Sequence, residues 1–258
     1  MKELWLFFVM CFLFLNLYSQ EIKITDEDVM YILKTKQIKN VHDNLYLQSE
    51  LDKVRECVVY KLPVPRDLVH LHNLNKLTVY VAEEQSFDTI VDVSHLRNQL
   101  KVLKVMAPYK LRIGNQNRLE KLEIIKCPDF FIEKCDSLVM LSCMYGNYGE
   151  LNLKDLPQLT YLDCSNSNVT KLIVSGNLNL KELKCNDNNL RELDLSKNVN
   201  LKVLHCTGNK FDDINKIKFP SDIEYIYLGK NFNTSGMFKK DSLKMLKVFE
   251  IGNVMFKY

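Results

Sequence analysis

Glycine and proline are scarce in this 258-residue chain, at 8 and 6 copies. A flexible low-complexity stretch or an interdomain linker rich in these residues is therefore excluded. A surplus of one charge is also missing. Lys and Arg total 35 against 32 Asp and Glu, a formal net charge of +3, so no whole-chain attraction to nucleic acid or to an anionic membrane follows. The chain has no phosphate loop, no nucleophile elbow and no HExxH. Its histidines are His42, His70, His72, His95 and His205. HLH at 70–72 could place two imidazoles on one side of a strand, but no third ligand accompanies them. Acidic residues fall mostly where solvent-facing charge belongs. No catalytic residue, no cofactor and no metal site is expected. What is present is 47% hydrophobic residues, enough to bury a sizeable core.

The first residues are of another kind. Lys2 is followed by an apolar run from Leu4 to Leu15, Asn16 interrupts it, and Ser19 stands before Gln20. This is the layout of a secretory signal peptide, cleaved after Ser19. The run is short for a membrane span of about 20 residues, and an uncleaved anchor is the alternative. Cys11 lies inside the run after FVM, which does not resemble a lipoprotein cleavage box. Export from a bacterial-type cell to the medium or cell surface is expected, without a lipid anchor and with no stable membrane span after signal removal.

The rest is organised by a period. Leu138, Leu159, Leu180 and Leu201 are 21 residues apart, and so are Leu141, Leu162, Leu183 and Leu204, and Cys143, Cys164, Cys185 and Cys206. The common unit is L-x-x-L-x-C. Three of the units run on into a polar, Asn-rich stretch and then Val169, Leu190 or Phe211. Weaker copies begin at Leu74, Leu100, Leu119, Ile223 and Leu243, with spacing that drifts between 19 and 26 residues. Drift of this size goes into loops and leaves strand register intact.

The pattern resembles the leucine-rich repeat family, in the short type with units L-x-x-L-x-C-x-x-N-x-L-x-x-L-x-L-S-x-N that is common in exported Bacteroidetes proteins. Leu180, Leu183, Cys185, Asn188, Leu190, Leu193, Leu195, Ser196 and Asn198 fit every marked position. The resemblance covers residues 74 to 251. It departs at the first asparagine, where Cys127, Gly146 and Ser167 stand in place of the Asn kept at 188, 209 and 231.

Elementary geometry agrees. L-x-C puts Leu183 and Cys185 on one side of a strand. Each unit is too small to bury its own apolar side, so the units stack into one core. The interior asparagine is suited to pairing buried backbone groups where the chain turns; at Gly146 and Ser167 that pairing must be made differently. The second half of the unit alternates again, at Leu193 and Leu195, and is too short for an ordinary helix. Short extended segments on both sides predict a gently curved repeat solenoid, flatter than a horseshoe. Before it, TDEDVMYILKTKQI offers Thr25 or Asp26 as N-cap and Val29, Ile32 and Leu33 at helical spacing. The expected divisions are a signal peptide at 1–19, a helical N-terminal cap at 20–70 and the solenoid at 71–258, with IGNVMFKY closing the last coil.

Of 8 cysteines, Cys11 leaves with the signal, so an odd number remains. The column Cys143, Cys164, Cys185 and Cys206 is expected to be free and buried, because neighbouring side chains point inward rather than at one another. Four sulfurs in a line do not make the zinc tetrahedron. Cys127 and Cys135 lie in a less regular unit where a disulfide is an alternative, and Cys57 has no evident partner.

Function falls to the outward strand positions. The third position of the unit reads Val102, Lys121, Met140, Tyr161, Glu182, Val203, Tyr225, Met245, and the fifth Lys104, Glu123, Ser142, Asp163, Lys184, His205, Tyr227, Lys247. Tyr145 lies just beyond its strand. Aromatic residues are enriched at binding surfaces, although outward tyrosines also simply favour strands. The candidate binding residues are Tyr145, Tyr161, His205, Tyr225 and Tyr227, on an exported non-catalytic protein that binds a protein or glycan and not nucleic acid. The alternative is a structural or adhesive surface protein without a discrete ligand. Mass spectrometry of exported material is expected to find a chain starting after Ser19; an intact Met1 would refute the signal.

Overall fold

The computed structural model describes residues 20–60, 62–82, 89–96, 99–106, 108–133, 135–229, 231, 247–251 and 254–257. One strand per coil stacks into an eleven-stranded sheet. In chain order these strands are Glu56–Val59, Lys76–Tyr80, Val102–Met106, Lys121–Ile125, Met140–Met144, Tyr161–Asp163, Glu182–Lys184, Val203–His205, Tyr225–Leu228 and Val248–Ile251, each parallel to the next. Val254–Lys257 then turns back antiparallel on Val248–Ile251. The architecture is a parallel-strand solenoid with few helices.

Register follows the leucines. Cys57, Leu77, Leu103, Leu122, Leu141, Leu162, Leu183, Leu204 and Ile226 align as one column, all buried. Two positions depart from the sequence reading. The first strand, Glu56–Val59, lies before residue 71, because ECVV carries the inward alternation without the leucines that mark later coils. In the last described coil the partners of Tyr225 and Tyr227 are Val248 and Glu250, not Met245 and Lys247. LKMLKV there mimics the unit, but the alternating VFEI that follows supplies the strand; Met245 itself lies outside the described residues.

Between residues 90 and 218 the opposite side of the coils carries short extended segments, as the short second half-unit implies. Ile90–Asp92, Lys110–Asn115 and Asp129–Glu133 form one small sheet, Glu150–Asn152 pairs with Lys171–Ile173, and Leu193–Asp194 with Ile217–Lys218, all parallel. Between the two layers Leu, Ile and Val side chains make one continuous core.

Ahead of the first strand, the helix Glu27–Thr35 buries Val29, Ile32 and Leu33 in that same core. Asp26 is its N-cap, accepting from the backbone N–H groups of Asp28 and Val29. Thr25 instead donates its backbone N–H and its hydroxyl to Asp67, at 2.6 and 3.1 Å. HLH does not fall on a strand: Arg66–His70 is a short 3-10 turn, and His72 faces Asp52 at 3.6 Å.

Cys143, Cys164, Cys185 and Cys206 are fully buried, and all seven described cysteines are free thiols. Burial pushes the Cys57 thiol up to about 11 and Cys127 up to about 12. Cys143 and Cys164 rise well above the ordinary value for the same reason. Cys185 rises through its hydrogen bond with Cys206 and then through burial.

The interior asparagines bridge coils. Asn188 Nδ2 donates to the carbonyls of Cys164 (2.9 Å) and Cys185 (3.1 Å), while its Oδ1 accepts the N–H groups of Ser167 (3.0 Å) and Val169 (2.9 Å). Asn209 repeats the pattern on Cys185, Cys206 and Leu190, and Asn231 donates to Cys206 and Leu228. At the Ser167 departure, the hydroxyl lies 2.9 Å from the Cys143 carbonyl and accepts from Gly146 N–H at 3.2 Å. At Gly146 the Tyr148 ring occupies the vacated space, since a Cβ there would meet its Cζ at 2.2 Å. A second buried pair, Asn177 and Asn198, bridges coils on the far side through its donors alone: Asn198 Nδ2 donates to Val174 and Asn177 carbonyls, and Asn177 Nδ2 to those of Leu153 and Leu156.

Two measurements check these layers. Asn188→Ala strands several buried backbone groups and is expected to cost about 3 kcal/mol in urea unfolding. Asn147→Ala, which removes only an exposed amide–amide bond to Asn168, should stay within about 0.5 kcal/mol. The second concerns alkali. A thiol held above its unfolded pKa of 9.0 leaves stability intact below pH 9 and withdraws it as pH rises toward the folded pKa. Each such thiol should steepen the loss by about 1.4 kcal/mol per pH unit. Cys185→Ala should flatten that slope between pH 9 and 10.5, and an unchanged slope would contradict buried neutral thiols.

Candidate functional site: the strand face

The outward residues of the strands form two columns. One runs Lys76, Val102, Lys121, Met140, Tyr161, Glu182, Val203, Tyr225; the other runs Thr78, Lys104, Glu123, Ser142, Asp163, Lys184, His205, Tyr227. Alternation with the buried leucines is what holds them outward.

The structure brings some sequence candidates together and separates others. His205 and Tyr227, on adjacent strands, stack with ring centroids 4.5 Å apart and 6° between planes. Tyr225 shares the strand with Tyr227, and Lys247 Nζ lies 5.7 Å from its ring centroid. These three residues make one half-buried patch. Tyr161 stands apart, three strands from Tyr225, about 14 Å at the usual strand spacing. Lys184 Nζ sits 5.4 Å from its ring centroid and 3.1 Å from Glu182 Oε1. Burial, with Asp163 beside it, raises the Tyr161 hydroxyl above its ordinary pKa. Tyr145 belongs to neither group: it is an exposed turn residue with φ +60 that follows Met140–Met144.

Much of the face neutralises itself. Lys76 pairs with Glu56 at 2.9 Å, Lys104 with Glu123 at 3.0 Å, and Lys247 with Glu224. Lysines on this face therefore do not add up to a basic stripe.

A second surface escaped the sequence reading. The helix Glu27–Thr35 stands beside Glu56–Val59 and leaves a groove of about 820 Å³, lined by Tyr31, Thr35, Lys36, Val58, Tyr60 and Thr78 among others. Tyr60 and Tyr80 stack at its rim, 5.3 Å apart and 9° from parallel. The signal was available in the shared V-Y of CVVY at 57–60 and LTVY at 77–80, which marks two neighbouring coils.

No protein-family profile matches the sequence, and no curated protein matches it. Solved structures do. A leucine-rich repeat protein of Leptospira interrogans superposes with a TM-score of 0.68 at 18% identity, covering 90% of this chain and 65% of its own. The fold is a leucine-rich repeat. TLR13, in its complex with ssRNA13, superposes at a TM-score of 0.51 and 17% identity, over 77% of this chain and 36% of its own. At these identities the likeness is one of fold, and the chain spans less than two thirds of either neighbour.

Among the described residues no group of three His, Cys, Asp or Glu side chains could hold a metal ion. Among the same residues no helix is long and apolar enough to cross a membrane. The signal peptide expected at 1–19 lies outside the described residues.

Proposed function

We propose that the protein is an exported, non-catalytic binding protein of the short 21-residue repeat type, and that its strand face takes up a protein or glycan. The observation that carries the reading is the patch of His205, Tyr225 and Tyr227 on adjacent strands. Stacked, half-buried rings offer large rigid area at low entropic cost, which is what binding anchors need. Tyr161, held under Lys184, extends the same face, and Tyr145 stands at its edge. The helix Glu27–Thr35 and the N-terminal hairpin of Asn40–His42 with Leu45–Leu47 close the first coil in this reading, the solenoid is gently curved, and residues 1–19 direct export.

The TLR13 structure contains RNA, but that chemistry does not suit this face. Phosphate backbones select clustered Lys and Arg, and here Lys76, Lys104, Lys184 and Lys247 each sit against a carboxylate. A protein or glycan surface, which rewards aromatic stacking, fits better.

The deciding experiment is a pulldown with the protein lacking residues 1–19 on cell-surface extracts, followed by Tyr161→Ala/Tyr225→Ala on whatever partner is found. The double variant is expected to lose about 2 kcal/mol or more of affinity with its melting temperature nearly unchanged. Self-association alone would favour the structural or adhesive alternative. Unchanged affinity would move the site off these tyrosines.

A further inference from the structure

The sheet ends, on its N-terminal side, in a strand with one neighbour. Glu56–Val59 pairs with Lys76–Tyr80 and with nothing else among the described residues. Its hydrogen-bonding phase can be read from the pairing. The Arg55 carbonyl accepts from Lys76 N–H, so Arg55, Cys57 and Val59 direct their backbone groups to that neighbour. Glu56, Val58 and Tyr60 direct theirs the other way. No backbone bond from Glu56, Val58 or Tyr60 to the helix or to the N-terminal hairpin is formed among the described residues.

An unpaired edge is ordinarily covered, twisted away or charged. Here the helix stands alongside instead, and the 820 Å³ groove lies between. Its floor is the edge strand and the outward residues Lys76 and Thr78; its wall is Tyr31, Ile32 and Thr35. Val58, Tyr60 and Tyr31 are exposed, at 40%, 68% and 69%, an apolar cluster that water covers poorly.

We propose that this groove is a docking site for an extended peptide segment of a partner protein, which adds as a further strand along Glu56, Val58 and Tyr60. Backbone donors and acceptors in the phase of a strand match another strand, and a groove bounded by a helix admits one chain and no second sheet. Side chains at alternate positions would fall among Tyr31, Val58 and Tyr60, so aliphatic residues suit them. The ends differ in charge. Lys36 lies close enough to Glu56 and Cys57 to act on both electrostatically, while Glu27 and Asp28 open the helix about 12 Å away. The fitting peptide is basic at the end beside Glu27 and Asp28. This site is independent of the tyrosine patch on later coils.

The probe is a fluorescein-labelled peptide of alternating valine and threonine with two lysines at one end, made in both chain directions, titrated against the full chain. Binding of either direction is expected, with slowed hydrogen exchange at Glu56, Val58 and Tyr60. Val58→Pro removes an N–H that no described neighbour receives, a change edge strands tolerate, and should weaken binding at least tenfold with the melting temperature held. Should that variant not fold, Thr35→Trp fills the groove from an exposed helix position and should weaken binding equally. Tyr161→Ala/Tyr225→Ala should bind the probe as wild type, which keeps this result separate from the fate of the strand face. No binding of either peptide at millimolar concentration, full binding by both groove variants, or dimerisation of the chain through this edge abolished by Val58→Pro would each overturn the proposal.

Discussion

The regular 21-residue coils of this molecule depend on one kind of bond, the asparagine amide that bridges the backbones of neighbouring coils. At the end of each strand the chain must turn inside a packed core, where an unpaired carbonyl or N–H is costly. A primary amide has two donors and an acceptor with two lone pairs. Asn188 uses both, giving to the Cys164 and Cys185 carbonyls and receiving from Ser167 and Val169. The group it satisfies belongs to the previous coil, so the bond forms only if each asparagine stands over the same place in the coil before. The 21-residue period is the sequence record of that demand. In those coils the register of the strands comes with it, and the buried leucine column carries the same register back through the coils that lack the asparagine.

The same bond limits strand length. Where asparagine or serine holds the turn, the strands Tyr161–Asp163, Glu182–Lys184 and Val203–His205 have three residues. Where Cys127 or Gly146 stands instead, Lys121–Ile125 and Met140–Met144 have five, and pairing runs on through Cys143 with Ile124 and Met144 with Ile125. The amide competes with the ladder for the carbonyl of the column residue. Where a side chain of the following coil takes that carbonyl, pairing with that coil stops at the residue before it, at Ser142, Asp163, Lys184 and His205. Cysteine suits this position as a small apolar side chain that leaves room for the amide: Asn209 Nδ2 lies 3.5 Å from Cys206 Sγ. It is not obligatory, since Leu228 occupies the equivalent place beneath Asn231.

The regular coils were legible in the sequence because their chemistry repeats. Leu183, Cys185 and Asn188 each have one structural job and recur wherever the job does. Legibility failed where the job was done by other residues. Cys57 and Val59 alternate inward without leucine, so the first strand lay hidden in what reads as the cap. In LKMLKV the leucines imitate a unit, and only pairing with Tyr225–Leu228 shows that VFEI is the strand. The tyrosine face was readable as outward positions, but not the stacking of His205 on Tyr227 or the separation of Tyr161, which depend on rotamers and strand count. Of the groove only the repeated V-Y of CVVY and LTVY was readable, as a sign of two neighbouring coils; the space itself belongs to the approach of a helix to a strand and to no residue pattern in either.

A solenoid differs from a closed domain in that stacking never satisfies its own ends. The C-terminal end changes direction: Val254–Lys257 returns antiparallel, so the stack stops growing in the sense that built it. At the N-terminal end the parallel series stops, among the described residues, at Glu56–Val59, with the same backbone phase that recruited each following strand. Helix Glu27–Thr35 buries the core beneath that strand through Val29, Ile32 and Leu33, which removes the hydrophobic reason for another coil. It forms no backbone bonds to Glu56, Val58 or Tyr60, and so leaves the polar reason in place. Core closure and edge closure are separate problems, solved by different groups. A helix can settle the first because side chains reach across a gap of several ångströms. It cannot settle the second, since its own N–H and C=O groups are spent along its axis. The unpaired edge at this end is therefore a direct result of capping a sheet with a helix.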